Sequence, residues 1–231
     1  MDRAAQAAAA AQAMFPPGAE VAAVTIGEAP PPWMAEAAAV AGAVPSRKAE
    51  FAAGRAAVRA ALDALGLPPV AVPAASTRAP CWPAGIAGSI CHTDGLALAV
   101  LAPRRQCRAL GLDAEPDEPF PEELVNSVTL PDERDWIARQ PEPERAARLI
   151  FVAKEAAYKC QFPASQTLIG FEAIRIFAAS EGRLEARFTV DVPPFSRGQR
   201  LAGRHVRAAG LVLAGFTLPV QDALGGVGRV R

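Results

Sequence analysis

Several familiar signals are missing from this 231-residue sequence, and each absence removes a class of function. The four cysteines (Cys81, Cys91, Cys107, Cys160) form no C-x-x-C pair and share no metal-ligand spacing with the two histidines, His92 and His205. That excludes the usual thiolate–imidazole metal patterns and reads as isolated, reduced thiols of a cytoplasmic protein. Basic and acidic side chains balance at 24 each, so no global field draws the chain to nucleic acid or a membrane surface. No apolar run is long enough to span a bilayer. Segment 4–13 ends in Ala-Gln-Ala, as a signal-peptide cleavage site would. It is interrupted by Gln6 and Gln12, has only Arg3 offset by Asp2 before it, and contains no Leu, Val or Phe, which argues against secretion. No G-x-S-x-G elbow is present, so Ser89 and His92 do not read as a hydrolase pair. Cys91 and His92 are neighbours on a predicted strand and face opposite ways, which disfavours a cysteine nucleophile.

What is present reads as two similar halves, 1–103 and 104–231, each running strand, long helix, strands. The first half has a strand at Val21–Ile26 and a short helix at Trp33–Gly42. A long helix follows over Arg47–Leu65, where Phe51, Val58, Leu62 and Leu65 fall near helical spacing and Gly66 and Pro68-Pro69 stop it. Ile86–Ile90 and Leu96–Leu101 form a strand pair turning at Thr93-Asp94-Gly95. The second half opens on a strand, Cys107–Glu115, with Asp113 closing it. Short helices at Pro121–Val128 and Pro131–Arg139 come next, then a long helix over Glu144–Cys160 ended by Pro163. Strands are expected at Ala173–Phe177, Leu184–Val190 and His205–Phe216. The order suggests two related lobes in an α+β architecture.

The charged residues fall on segments of predictable geometry. Asp113 and Glu115 are two apart and share one side of a strand. Glu155 and Lys159 are four apart and share one face of a helix. Converging carboxylates suit a hard divalent ion such as Mg²⁺, and the amines of Lys154 and Lys159 suit the phosphates such an ion carries. The plainer alternative is a surface pair between Glu155 and Lys159 contributing roughly 0.3–0.5 kcal/mol. Phe151, Val152, Ala156 and Ala157 argue for partial burial instead, and buried charges need partners or a metal. Arg47, Lys48, Arg55 and Arg59 lie on one helix, either as a solvated face or as a phosphate clamp. His92, taken alone, reads first as a core histidine with a satisfied hydrogen bond.

Four motifs in order carry a resemblance: Arg47-x3-Phe51-x2-Gly54-Arg55-x3-Arg59; the stretch Arg78 to His92 containing Cys-Trp-Pro and Gly-Ser-Ile-Cys-His; Gly-Leu-Asp-Ala-Glu115; and Phe151-x2-Lys-Glu-x3-Lys159. With these the chain resembles the 4′-phosphopantetheinyl transferases, in particular the surfactin-type, two-lobed monomeric branch typified by enterobactin synthetase component D. The resemblance implies two α/β lobes related by a pseudo-twofold axis. It also implies an Mg²⁺-dependent transfer of the phosphopantetheine arm of coenzyme A to a serine of an apo acyl or peptidyl carrier protein, with release of adenosine 3′,5′-bisphosphate. Such carriers serve fatty-acid, polyketide or nonribosomal peptide synthesis, siderophores included. By position, Asp113, Glu115 and Glu155 are the implied metal ligands, and Glu155, or a metal-held water beside it, the base. Lys154 and Lys159 are implied diphosphate contacts, with Lys159 stabilising the leaving phosphate. Arg47, Arg55 and Arg59 are implied at the 3′-phosphate, and Ser89 and His92 at the coenzyme's phosphates. Arg78 is the nearest basic residue to a loop contact usual before the Trp-Pro pair. A metal-dependent phosphohydrolase of a diphosphate and a non-catalytic coenzyme A-binding factor remain the other readings of the same residues.

Overall fold

Two antiparallel sheets meet side by side, each covered by one long helix, in the computed structural model, which describes residues 2–179 and 181–220. The first sheet holds β1 (Glu20–Thr25), β2 (Ile86–Thr93) and β3 (Leu96–Pro103) in the order β1-β3-β2. The second holds β4 (Cys107–Pro116), β5 (Ile174–Ala178), β6 (Arg183–Phe188), β7 (Arg200–Ala208) and β8 (Leu211–Pro219) in the order β4-β8-β7-β6-β5. In each sheet the first strand pairs with the last. The architecture is α+β, as its sequence pattern leads one to expect. The expected second half extends to 231, and residues 221–231 lie outside the described ones.

Helix α1 (Arg3–Gln12) is not foreseen by the sequence reading. Asp2 caps it by accepting from the Ala5 N–H at 2.7 Å, and Ala4, Ala7 and Ala11 form a narrow buried stripe against β1 and β7. Small side chains every third or fourth residue let the helix lie close across both sheets. Arg3 then joins the two hairpin turns, donating to Asp94 and to the Ala209 carbonyl.

The long helices are α3 (Pro45–Ala64) and α6 (Pro143–Ser165), each with proline in its first turn, where no N–H partner is lost. A short helix, α2 (Met34–Ala37), precedes α3, and α4 (Glu122–Val128) and α5 (Pro131–Ile137) precede α6. α3 buries Val58, Ala61 and Leu62 on the first sheet and ends where Gly66, at φ +70, closes the last turn. α6 packs on β4 and β8, and Gly111 decides how closely. A Cβ there would collide with the Ala156 carbonyl and with Cys160, so only glycine lets the helix settle onto the strand.

Three expectations need correction. Pro163 does not stop α6; the helix runs two residues further and ends at Gln166, in the left-handed region at φ 54. Proline so near the end costs only the hydrogen bond that residue 163 would give Lys159. His205–Phe216 is not one strand but the end of β7, a two-residue turn and β8; Ala209 and Gly210 both have positive φ, the geometry of a tight hairpin. Asp113 does not close β4, which continues to Pro116 and keeps Asp113 paired with Ala214 inside the ladder.

Candidate functional site

A cleft of about 610 Å³ opens between the two sheets, with α3 and β2 on one wall and β4 and α6 on the other. Four of the sequence motifs reach it. On the first wall Arg47, Arg55, Arg78, Ser89 and His92 line it; on the second, Asp113, Glu115, Glu155 and Lys159. A polar link joins the walls where the Leu112 N–H of β4 donates to Ser89 Oγ of β2 at 3.0 Å. A serine hydroxyl that accepts one bond still has its own proton to give.

The first wall is basic and braced. Arg55 is buried; its Nε donates to the Val72 carbonyl at 2.6 Å and its guanidinium lies 4.2 Å from the centre of the Phe51 ring. Burial pulls it down to about 10, against the influence of Glu36, so it remains a cation at neutral pH. Arg47 Nη1 donates to Glu50 at 2.9 Å and stands 2.6 Å from His92 Nε2. Arginine has no acceptor, so that ring nitrogen must be the unprotonated one. Burial lowers the His92 pKa, with Glu50 opposing, and the contact fits a neutral ring. Arg78 takes a left-handed turn conformation at φ 67, its N–H closing on the Ala75 carbonyl.

The second wall gathers acids around one amine. Lys159 Nζ donates to Asp113 Oδ1 at 2.6 Å and reaches the Leu112 carbonyl at 3.4 Å. Burial alone would depress the Lys159 pKa; Asp113, with Cys91 and Glu155, holds it above its ordinary value. Glu115 is raised by burial and by Asp113, with Arg148 opposing from 3.9 Å. Glu155 is raised by burial and then by Asp113. Glu115 and Glu155, which resist ionising beside Asp113, make with it a donor set short of positive charge. Among the described residues no three such groups already stand within a finished metal cage. Hard oxygen donors in mutual repulsion nevertheless fit a divalent cation, which would add to the relief that Lys159 already gives Glu115 and Glu155.

Two predicted residues are elsewhere. Lys154 is not in the cleft: its Nζ is 2.8 Å from Glu133 Oε2, both side chains are almost wholly enclosed, and it also donates to the Phe171 carbonyl. One residue along a helix is a rotation of about 100°, which turns Lys154 inward when Glu155 faces out. Arg59 also does not line the cleft. It bonds both oxygens of Glu36 at 3.2 Å and stacks 4.8 Å over Trp33. Conversely, Tyr158 and Arg104 line the cleft unforeseen. Tyr158 is three residues from Glu155, so helical spacing alone would have found it. Arg148 is seven residues before Glu155 on the same face and could be found the same way. Arg104, in the turn after β3, carries no periodic signal. Cys91 is buried, with its thiol pushed up to about 12 by burial, which keeps it protonated at neutral pH and a poor nucleophile.

Residues 35–102 match the 4′-phosphopantetheinyl transferase N-terminal domain, and residues 109–209 match the 4′-phosphopantetheinyl transferase superfamily. The chain is 39% identical over 141 residues to 4′-phosphopantetheinyl transferase Npt of Nocardia iowensis, a match covering 61% of this chain and 64% of that protein, just under two thirds of its length. It is 36% identical over 183 residues to 4′-phosphopantetheinyl transferase PptT of Mycobacterium tuberculosis, covering 74% of this chain and 79% of that one. It is also 36% identical over 148 residues to enterobactin synthase component D of Salmonella typhi, covering 62% and 60%. The two matched segments meet where the two sheets meet, and the chain belongs to the 4′-phosphopantetheinyl transferase superfamily.

Proposed function

We propose that the chain transfers the phosphopantetheine arm of coenzyme A to a serine of an apo acyl or peptidyl carrier protein, acting as a monomer whose lobes divide near residue 103. The observation that supports this best is the opposition of a basic wall and an acidic wall across one cleft. Coenzyme A carries two separate phosphate centres, a diphosphate and a 3′-phosphate. Arg47 and Arg55 suit the 3′-phosphate, with Arg78 at the loop edge and Ser89 and His92 nearer the diphosphate. Asp113, Glu115 and Glu155 would hold Mg²⁺, which when bound supplies neutralising charge for the diphosphate.

The chain's own residues account for the remaining chemistry. The serine Oγ forms a bond to the phosphorus that bears pantetheine, and that phosphorus loses its bond to the bridging oxygen. The bridging oxygen leaves with the electron pair as part of adenosine 3′,5′-bisphosphate. Glu155 takes the serine proton, a role its place on the cleft wall allows. Lys159, held cationic, faces the charge that develops on the leaving phosphate. Ser89 and Arg47 keep the coenzyme from sliding while this occurs.

A diphosphate hydrolase would use the same acids with water. Chromatography of nucleotide products separates the two: adenosine 3′,5′-bisphosphate should form only when apo carrier is added. Its formation from coenzyme A and metal without carrier would overturn the transferase reading.

A further inference from the structure

Glu133 and Lys154 lie outside the chemistry just described, yet their contacts are among the most specific in the molecule. Glu133 is 2% exposed and accepts from the Leu130 N–H that begins α5, at 2.7 Å, and from the Ile176 N–H of β5, at 2.7 Å. Its Oε2 also holds Lys154 Nζ at 2.8 Å, and that amine donates to the Phe171 carbonyl at 2.8 Å. One carboxylate thereby joins α5, β5 and α6, and Lys154 adds the segment that enters β5. Stability does not explain the arrangement, because the desolvation of a buried ion pair roughly cancels its attraction and apolar residues of equal volume serve as well.

Position explains it better. Lys154 precedes Glu155, and Phe171, whose carbonyl it holds, packs its ring 5.9 Å from that of Phe151, one turn before Glu155 on the cleft wall. A pocket of about 280 Å³ beside Glu155 is walled by Lys154, Tyr158 and Phe171. Any rotation of this turn of α6 would move the Glu155 carboxylate and its wall together. The other half contains the same device. Glu36 accepts from the Trp33 N–H and the Val72 N–H, each at 2.9 Å, and from Arg59 of α3.

We propose that Glu133 and Lys154 are positioning residues: their buried pair fixes the rotation of the α6 turn from Lys154 to Lys159 and aims Glu155 at Asp113 and Glu115. Lys154 does not touch the diphosphate. The inference rests on the function proposed above, and its test is read by binding rather than by turnover.

The variants are Glu133→Gln, Lys154→Met and the two combined. Calorimetry measures coenzyme A affinity in EDTA, and electron paramagnetic resonance measures Mn²⁺ binding to each coenzyme complex. Coenzyme A affinity in EDTA should stay within about twofold of the parent for all three, since neither residue meets the ligand. Half-saturating Mn²⁺ should rise about tenfold for either single variant, as is usual when a support behind metal ligands is removed. The combined variant should show the same rise, not the product, because both changes break one connection. Weakened coenzyme A binding in EDTA for Lys154→Met alone would make Lys154 a ligand contact and overturn the proposal. Unchanged Mn²⁺ binding in folded variants would reduce the pair to core filling and overturn it too. If a lone buried charge prevents a single variant from folding, the combined variant, with neither charge, carries the test. A parent protein that binds coenzyme A and Mn²⁺ but modifies no carrier would overturn the function while leaving the Mn²⁺ shift readable.

Discussion

α3 and α6 are pinned in the same way and employed differently. Each is gripped by a buried glutamate from the first turn of a short helix, Glu36 for α3 and Glu133 for α6. On α3 the gripped cation, Arg59, lies one turn beyond Arg55, so the two arginines are separated by about 6 Å along the axis. On α6 the gripped cation, Lys154, is adjacent to Glu155, so the two are separated by angle. Both solutions tie one charge to a buried glutamate for support and leave its neighbour lining the cleft. The difference teaches that a run of like-charged motif residues on a helix need not share one role; distance or rotation assigns them. It also leaves the walls opposite in sign, with Arg55 and Arg47 facing Asp113, Glu115 and Glu155.

The comparison is broken most severely at Glu155. Glu155→Gln keeps size and hydrogen bonding but removes the base and one metal-ligand charge. Carrier modification should fall by roughly 10³-fold, with coenzyme A affinity in EDTA unchanged within about threefold. Full activity in a folded variant would remove Glu155 from the chemistry. The basic wall should respond in binding rather than turnover. Arg55→Met should weaken coenzyme A by about 10–100-fold and erase the preference over the analogue lacking the 3′-phosphate, with little change in kcat at saturation. A selective loss of kcat would contradict the division of roles between the walls.

Arg59→Met should behave differently from Arg55→Met although it lies one turn away. Losing the cationic partner of buried Glu36 should destabilise the protein by about 2 kcal/mol, no more because two backbone donors remain. At this chain length that corresponds to a fall of roughly 4–8 °C in Tm, while coenzyme A affinity stays within about twofold. An affinity loss matching that of Arg55→Met would put Arg59 at the ligand.

The smallest effect is at His92. Its pKa is depressed by burial, so its contribution to stability is present above the ordinary histidine range and lost as pH falls through the lowered value. Protonation would also set it against Arg47. In a His205→Gln background, which leaves a single histidine, its NMR titration midpoint should lie below 6.5. A midpoint above 6.5 would contradict the neutral ring placed against Arg47.

The sequence was most legible where periodicity or a fixed turn speaks for itself. The apolar spacing of Phe51, Val58 and Leu62 marks α3, and Thr93-Asp94-Gly95 marks the hairpin that presents Ser89 and His92. Asp113, Glu115, Glu155 and Lys159 could be named because strand and helix spacing places each pair on one side. Lys154 and Arg59 are misplaced by motif alone, since their partners, Glu133 and Glu36, lie 21 and 23 residues away and carry no motif linking them. α1 was missed because an alanine stripe is a weak hydrophobic signal until two sheets supply a surface for it. The hairpin at Ala209-Gly210 was missed because apolar residues continue through it. Pro163 misled because proline is a strong breaker in the interior of a helix but a mild one in its last turn.

The central claim is that the two walls act together on coenzyme A and a carrier serine. Intact-mass spectrometry of an apo carrier protein incubated with this chain, coenzyme A and Mg²⁺, beside an EDTA control, tests it most directly. The account predicts a gain of one phosphopantetheine that disappears with EDTA and when the carrier's acceptor serine is replaced by alanine. An unmodified carrier across fatty-acid, polyketide and peptide-synthetase types, with coenzyme A demonstrably bound, would contradict it.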